Sequence, residues 1–259
     1  MTDVLAAEWL KLRTVRSTFV VLAVVGIAMA GTCALAAYGA HTWDGLTASD
    51  REHFSLSPLE SLFLVVAEMS MAVLGALTIG SEYAGGMIRD TLVAEPRRGR
   101  VLFAKAAVVG AVALAVGPAC VFATSYLSRA IVGDRPIRAF TDASTHTTGL
   151  LLAQSLAVVV AALVGYGLGA ALRSTTGAIV SLAGLLHVVP MVVQSLPAPW
   201  DRRVNSFTLD SLPGQLAGTG NAYSIYGSAL PPAAAAGVMC AYVAAPLALA
   251  TLRIHRRDA

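Results

Sequence analysis

Residues 149–172 read GLLLAQSLAVVVAALVGYGLGAAL, twenty-four positions without one charge. A hydrocarbon core about 30 Å thick is crossed by about 20 apolar residues in a helix, so this stretch is long enough to span a bilayer. Outward from it, five more runs of that kind lie between charged or turn-rich breaks, at 17–40, 59–79, 101–126, 176–196 and 232–252. The composition agrees. Of 259 residues, 56% are apolar and 13% charged, and the mean hydropathy is +0.70, whereas a soluble domain has about a quarter of its residues charged. The predicted fold class is therefore an all-α integral membrane protein with six transmembrane helices. No repeat period, low-complexity tract or second domain interrupts it, so residues 1–259 are read as a single membrane domain.

A net charge of +3 leaves no basic surface able to dominate nucleic-acid binding. Cys33, Cys120 and Cys240 each sit inside an apolar run without CxxC spacing or a neighbouring His, which reads as small core side chains and disfavours both disulfides and a metal site. The first run follows Lys11, Arg13 and Arg16 and closes on small residues, as a signal peptide would. Its length, and the five runs after it, favour an uncleaved anchor.

Charge sets the expected orientation. With the N-terminus inside, the inner set is Lys11, Arg13, Arg16, Arg89, Arg97, Arg98, Arg100, Lys105, Arg173, Arg253, Arg256 and Arg257; the outer set is Arg51, Arg129, Arg135, Arg138, Arg202 and Arg203. Asp44, Asp50, Glu52, Asp134, Asp142, Asp201 and Asp210 fall outside and sharpen the contrast. Both termini are thus expected in the cytoplasm.

Three connecting elements carry more information. Before the first span, Leu5, Trp9 and Leu12 fall on one helical face with Lys11 turned away, a pattern that fits an interfacial helix or a plain lead-in. Between spans two and three, Gly85 and Gly86 break the second span and Pro96 stops any helix that starts after them. The interval is a helix of two to three turns, too short to hold itself in water, which either docks on a surface or lies in a solvated basic loop. Between spans five and six, 197–231 is long, rich in Pro and Gly, and still apolar at Phe207, Leu209, Leu212 and Leu216, so short outer helices folded back on the membrane are expected.

These residues resemble the permeases of the ABC-2 type of ATP-binding cassette transporters, in the form common among actinobacteria. The resemblance is carried by Glu8-Trp9-Leu10-Lys11-Leu12-Arg13-Thr14 with Arg16-Ser17-Thr18, by Ser81-Glu82-Tyr83, and by Gly86-Met87-Ile88-Arg89, Leu92, Pro96-Arg97-Arg98 and Lys105. Leu172-Arg173-Ser174-Thr175 and Leu212-Pro213-Gly214 extend it nearly end to end, while Met87 stands where many relatives carry threonine. The resemblance implies that 86–95 is a cytoplasmic coupling helix seated on a nucleotide-binding subunit, with Glu82, Gly86, Met87, Ile88, Arg89 and Leu92 making the coupling contacts. It also implies a connecting N-terminal helix, outer re-entrant helices closing the exit, and a multi-pass place in the bacterial plasma membrane. The partners implied are ABC ATPase subunits and a second permease subunit, identical or homologous, in a dimeric exporter of drugs or antibiotics. No GxxxxGK[ST] phosphate loop occurs in the chain, so ATP and Mg would be bound by the partner, and the chain itself has no cofactor, catalytic or metal residue and is not an enzyme. The rival readings are a non-transporting sensor or scaffold, and an intramembrane hydrolase. For the latter, Tyr226-Gly227-Ser228-Ala229 lacks a GxSxG frame, and no HExxH is present.

Glu68 falls near the middle of span two, and a central charge there costs about 3 kcal/mol or more, so it needs an account. Ser61, Glu68, Gly75 and Glu82 recur every seven residues, forming one stripe that should face protein or a water-lined path. Gln154, His187 and Gln194 are the candidate polar partners. They would form either a lining of the transport route or a structural hydrogen bond between helices.

Overall fold

The computed structural model describes residues 2–54, 59–87, 98–137, 140, 147–218 and 230–256. Among them every regular element is helical: α1 (Thr2–Thr14), α2 (Arg16–Gly45), α3 (Ala48–His53), α4 (Leu59–Ala84), α5 (Arg98–Val132), α6 (Thr148–Leu172), α7 (Thr175–Ala183), a π-helical turn (Gly184–Val188), α8 (Val189–Gln194), α9 (Trp200–Asn205), α10 (Leu212–Leu216) and α11 (Pro232–Arg256). Six rods are long and apolar enough to cross a membrane: α2, α4, α5, α6, the continuous rod Thr175–Gln194, and α11. Each expected run falls on one of them. Some helices outlast their runs, α2 reaching Gly45 and α5 reaching Val132, while the rod Thr175–Gln194 stops short of the end of its run at 196; hydropathy marks an apolar length, whereas a helix goes on as long as its backbone hydrogen bonds do.

The middle rod of the six is α6. Of its most apolar window 78% is buried, against 22% for α2 and 17% for α11. It lies against α4 with almost nothing between the backbones. A Cβ placed on Gly165 would sit 1.9 Å from the Ala72 carbonyl oxygen, and one on Gly75 would sit 2.0 Å from that of Ala162. Ala76 and Ile79 meet Gly169 one turn further along. Lipid tails are as apolar as leucine, so helix association inside a bilayer relies on such close packing, and small residues at this spacing permit it.

At Val15 the backbone turns extended (φ −80, ψ 125) and separates α1 from α2. Helix α1 packs on α5 by a face that holds two of the three expected residues, Leu5 and Leu12, with Glu8 in place of Trp9. Glu8 and Leu12 are buried, Leu5 packs on the core and Lys11 is half-buried, whereas Trp9 and Leu10 are exposed. A hydropathy pattern ranks glutamate and lysine as outward residues; here ion pairing permits Glu8 to turn inward.

Near α1 and the end of α11 lies one end of the bundle. At the far end, Arg135 grips Asp44 with two hydrogen bonds of 2.9 and 2.8 Å, and Trp43 meets Phe54 edge-on. The connection after α8 carries the short helices α9 and α10 and packs on the bundle: Leu209 and Leu212 are buried, and Gln215 donates to the Ser206 carbonyl at 2.9 Å while accepting from the Leu230 N–H at 2.7 Å. Tyr226 and Ser228 lie outside the described residues.

Candidate functional site

Four charged side chains from three helices close a ring at the near end of the bundle. Lys105 on α5 donates to Glu82 on α4 at 2.6 Å and also to Glu8 on α1. Lys11 on α1 donates to Glu82 at 2.9 Å and to Glu8 at 3.0 Å. Cations and anions alternate and the ring is neutral. Lys105 is 1% exposed and both glutamates are also buried, with Lys11 on the outer side. Burial alone would lower the Lys11 pKa, but the hydrogen bonds and charges of Glu82 and Glu8 outweigh it and hold it above the ordinary lysine value. The second Glu82 oxygen, Oε2, is buried without a hydrogen-bond donor among the described residues.

Lys11 and Lys105 are the only two lysines in a chain with sixteen arginines. Both are in this ring. An ammonium is a compact charge with three rotatable donors and can bridge two carboxylates in a tight space, where a planar guanidinium fork needs more room. That bias was a usable signal for Lys11 and Lys105, and Glu8 then follows as the α1 carboxylate three residues from Lys11.

The ring brackets the segment between spans two and three. Helix α4 ends at Ala84, and Gly86 adopts φ +71, a left-handed conformation that suits glycine. Met87 is exposed. Ile88, Arg89 and Leu92 lie outside the described residues, as does most of 86–95. Of the residues expected at the coupling surface, Glu82 is turned inward onto the two lysines. Beside it, Arg173 caps α6 in a left-handed conformation (φ 52), lies 5.8 Å from the centre of the Tyr83 ring, and donates to the Arg253 carbonyl oxygen. A Cβ on Gly80 would meet Thr175 at 2.3 Å, so the start of α7 is held directly on α4.

A second polar centre lies further along α4. The Glu68 side chain is 6% exposed, and its Oε1 has no hydrogen-bond donor among the described residues. It lines a cavity of about 20 Å³ together with His187, Asp210, Val65, Leu186 and Leu209. Of the three expected partners only His187 shares this space. Gln154 lines a different cavity with Glu60 and Thr124, and Gln194 is exposed at the end of α8. Sequence placed all three at membrane depth, but the rotation of each helix decides which way a side chain points. Asp210 was counted only as an outer acid; its approach to Glu68 depends on the fold-back after α9 and had no local signal. The seven-residue stripe faces protein at Glu68, Gly75 and Glu82, while Ser61 at its far end is exposed.

A family model described as "ABC-2 family transporter protein" matches residues 4–173, about two thirds of the chain. The chain belongs to the ABC-2 transporter family. The matched stretch runs from α1 to the end of α6 and contains all four ring residues and Glu68, whereas His187 and Asp210 come after it. No curated protein is similar enough to count as a relative. Membership of the ABC-2 family, together with six helices long and apolar enough to cross a membrane, marks the chain as a membrane component of an ABC-2 transporter.

Proposed function

We propose that this ABC-2 protein is the permease subunit of an ATP-driven exporter, coupled through 86–95 to a separate ATPase that binds ATP and Mg. The observation that carries the reading is the ion ring: Glu82 and Lys105 stand at the two ends of the segment that would receive the push, and Glu8 and Lys11 tie both to α1. A thrust on the segment would then move α1 and the ends of α4 and α5 as one lever. From α4 it passes to α6 without slack, because the two backbones touch at Gly75 and Gly165. Rigid-body tilting of packed helices of this kind is a common route from an effector site to a gate.

In this reading α1 lies along the inner membrane surface and both termini are cytoplasmic in the bacterial plasma membrane. Segment 197–216 forms the outer closure as re-entrant helices, and residues 1–259 make one domain that pairs with a second permease subunit to complete the pathway. Ile88, Arg89, Leu92 and Met87 are the contacts to the ATPase; Glu82 acts by positioning them. The test is to extract the tagged chain gently from its native membrane and assay for a co-purifying ATPase with vanadate-sensitive turnover. Wild type retains the ATPase and Ile88→Asp loses it while staying inserted. Purification of the wild type alone, without turnover, would refute the reading.

A further inference from the structure

A carboxylate at membrane depth needs a donor or a counter-charge, because an isolated buried charge is strongly disfavoured there. Glu68 lies nine residues into α4, about 14 Å along the helix from its far end, close to half of a hydrocarbon core about 30 Å thick. Its Oε1 points to no protein donor among the described residues, and the cavity it lines carries a second carboxylate, Asp210. Two like charges around one small space repel unless one takes up a proton or something positive stands between them. The remaining polar wall is the His187 imidazole; the rest is apolar, from Val65, Leu186 and Leu209.

The backbone at this point is also irregular. His187 belongs to the π-helical turn Gly184–Val188, where the Val189 N–H reaches back five residues to the Gly184 carbonyl, just before Pro190, which has no N–H to give. A π-turn widens the helix by one residue, re-aims the side chains it carries and is frequent at functional sites. Irregular backbone at membrane depth is tolerated where it is covered by protein or lines a polar cavity.

We infer that Glu68, Asp210 and His187 form the binding site for a primary ammonium group on an otherwise apolar molecule, so that the transported substrates are amphiphilic primary amines. Transport of the bound amine rests on the permease reading, whereas the binding site itself does not. An ammonium brings a positive charge and three donors, which suits two carboxylates and an imidazole nitrogen. A volume of about 20 Å³ admits one water-sized group. A trimethylammonium has no N–H to donate, so it would leave the carboxylates and the imidazole without hydrogen bonds. The apolar body would lie along the same rod, where Val188, Met191 and Val192 are exposed.

The experiment uses the full chain in lipid nanodiscs and follows thermal unfolding during titration with hexylammonium, hexanol and hexyltrimethylammonium at fixed ionic strength. Hexylammonium is expected to raise the unfolding temperature saturably and the other two are not. Glu68→Gln is expected to weaken hexylammonium binding by about tenfold or more, equivalent to losing about 1.4 kcal/mol, and Asp210→Asn to weaken it as well, with Asp50→Asn as a distant exposed control. Asp210 is exposed, so its variant keeps the test decisive if Glu68→Gln does not fold. Equal effects of the three compounds, unaltered binding in both variants, or saturable stabilisation by sodium or potassium ions that displaces hexylammonium would overturn the assignment. Binding that persists in a chain bringing down no ATPase would leave the site standing and remove the permease reading; loss of binding with an intact ATPase complex would do the reverse.

Discussion

Replacing Lys105 with methionine keeps the length of the side chain and deletes the most deeply buried charge of the ring. In the wild type this ammonium, 1% exposed, bonds to both Glu8 and Glu82. After Lys105→Met the two carboxylates, also buried, share only Lys11, whose side chain is 38% exposed. Removing one partner of a buried ion pair costs about 3–5 kcal/mol, because the other is left charged in a medium that cannot solvate it. The expected destabilisation is therefore about 3–5 kcal/mol, and it should shrink when the surplus charge is removed. The double variant Glu82→Gln with Lys105→Met leaves Glu8 facing Lys11, a neutral pair at 3.0 Å, and should recover about 2 kcal/mol of the loss. The assay is reversible unfolding in mixed micelles, followed by tryptophan fluorescence, for wild type, both single variants and the double. Additivity of the two singles would refute the argument that the ring is one electrostatic unit, as would a Lys105→Met change within about 0.5 kcal/mol.

Three further outcomes are expected. Gly165→Ala places a methyl group where the Ala72 carbonyl already is, 1.9 Å away, so α4 and α6 must part; loss of about 1–3 kcal/mol or more is expected, read by the same unfolding assay, and a neutral result would mean the backbones are not in contact. Gly86→Val puts a β-branched side chain at φ +71, which costs about 1–2 kcal/mol locally; earlier protease cleavage near residue 86 is expected, and unchanged cleavage would argue against the left-handed turn. Because the Lys11 pKa is raised on folding, its ion pairs contribute fully below the ordinary value of 10.5, and that contribution is lost as pH rises through the higher folded value. The stability difference between wild type and Lys11→Met should thus be flat from pH 8 to about 10 and fall only above about 10.5; a difference that vanishes below pH 9 would contradict the ring geometry.

How far each feature could be read beforehand depends on how local its cause is. The six runs were legible because the requirement is a length of apolar helix, and each falls on a helix long and apolar enough to cross a membrane. The buried side of α4 was legible too: the spacing of Glu68, Gly75 and Glu82 puts them on one face, and that face is turned to protein. The short helices after residue 197 followed from apolar residues that a free loop would not carry. By contrast, the face expected for α1 held at Leu5 and Leu12 but not at Trp9, because the hydropathy of Trp9 and Glu8 taken singly points the opposite way from their places in the packed bundle.

Sequence by itself determined that this chain carries six helices long and apolar enough to cross a membrane, roughly where they lie, and which unusual residues needed an explanation. Tertiary structure alone decided what answers them. Lys105 meets Glu8 across 97 residues, Glu68 shares its cavity with Asp210 and not with Gln154 or Gln194, and α6 became the central rod. A helix and its apolar length are properties of neighbouring residues, whereas its rotation and its partners are set by which glycines and alanines let two backbones approach. At that closeness, a few degrees of rotation decide whether a buried charge finds its counter-ion.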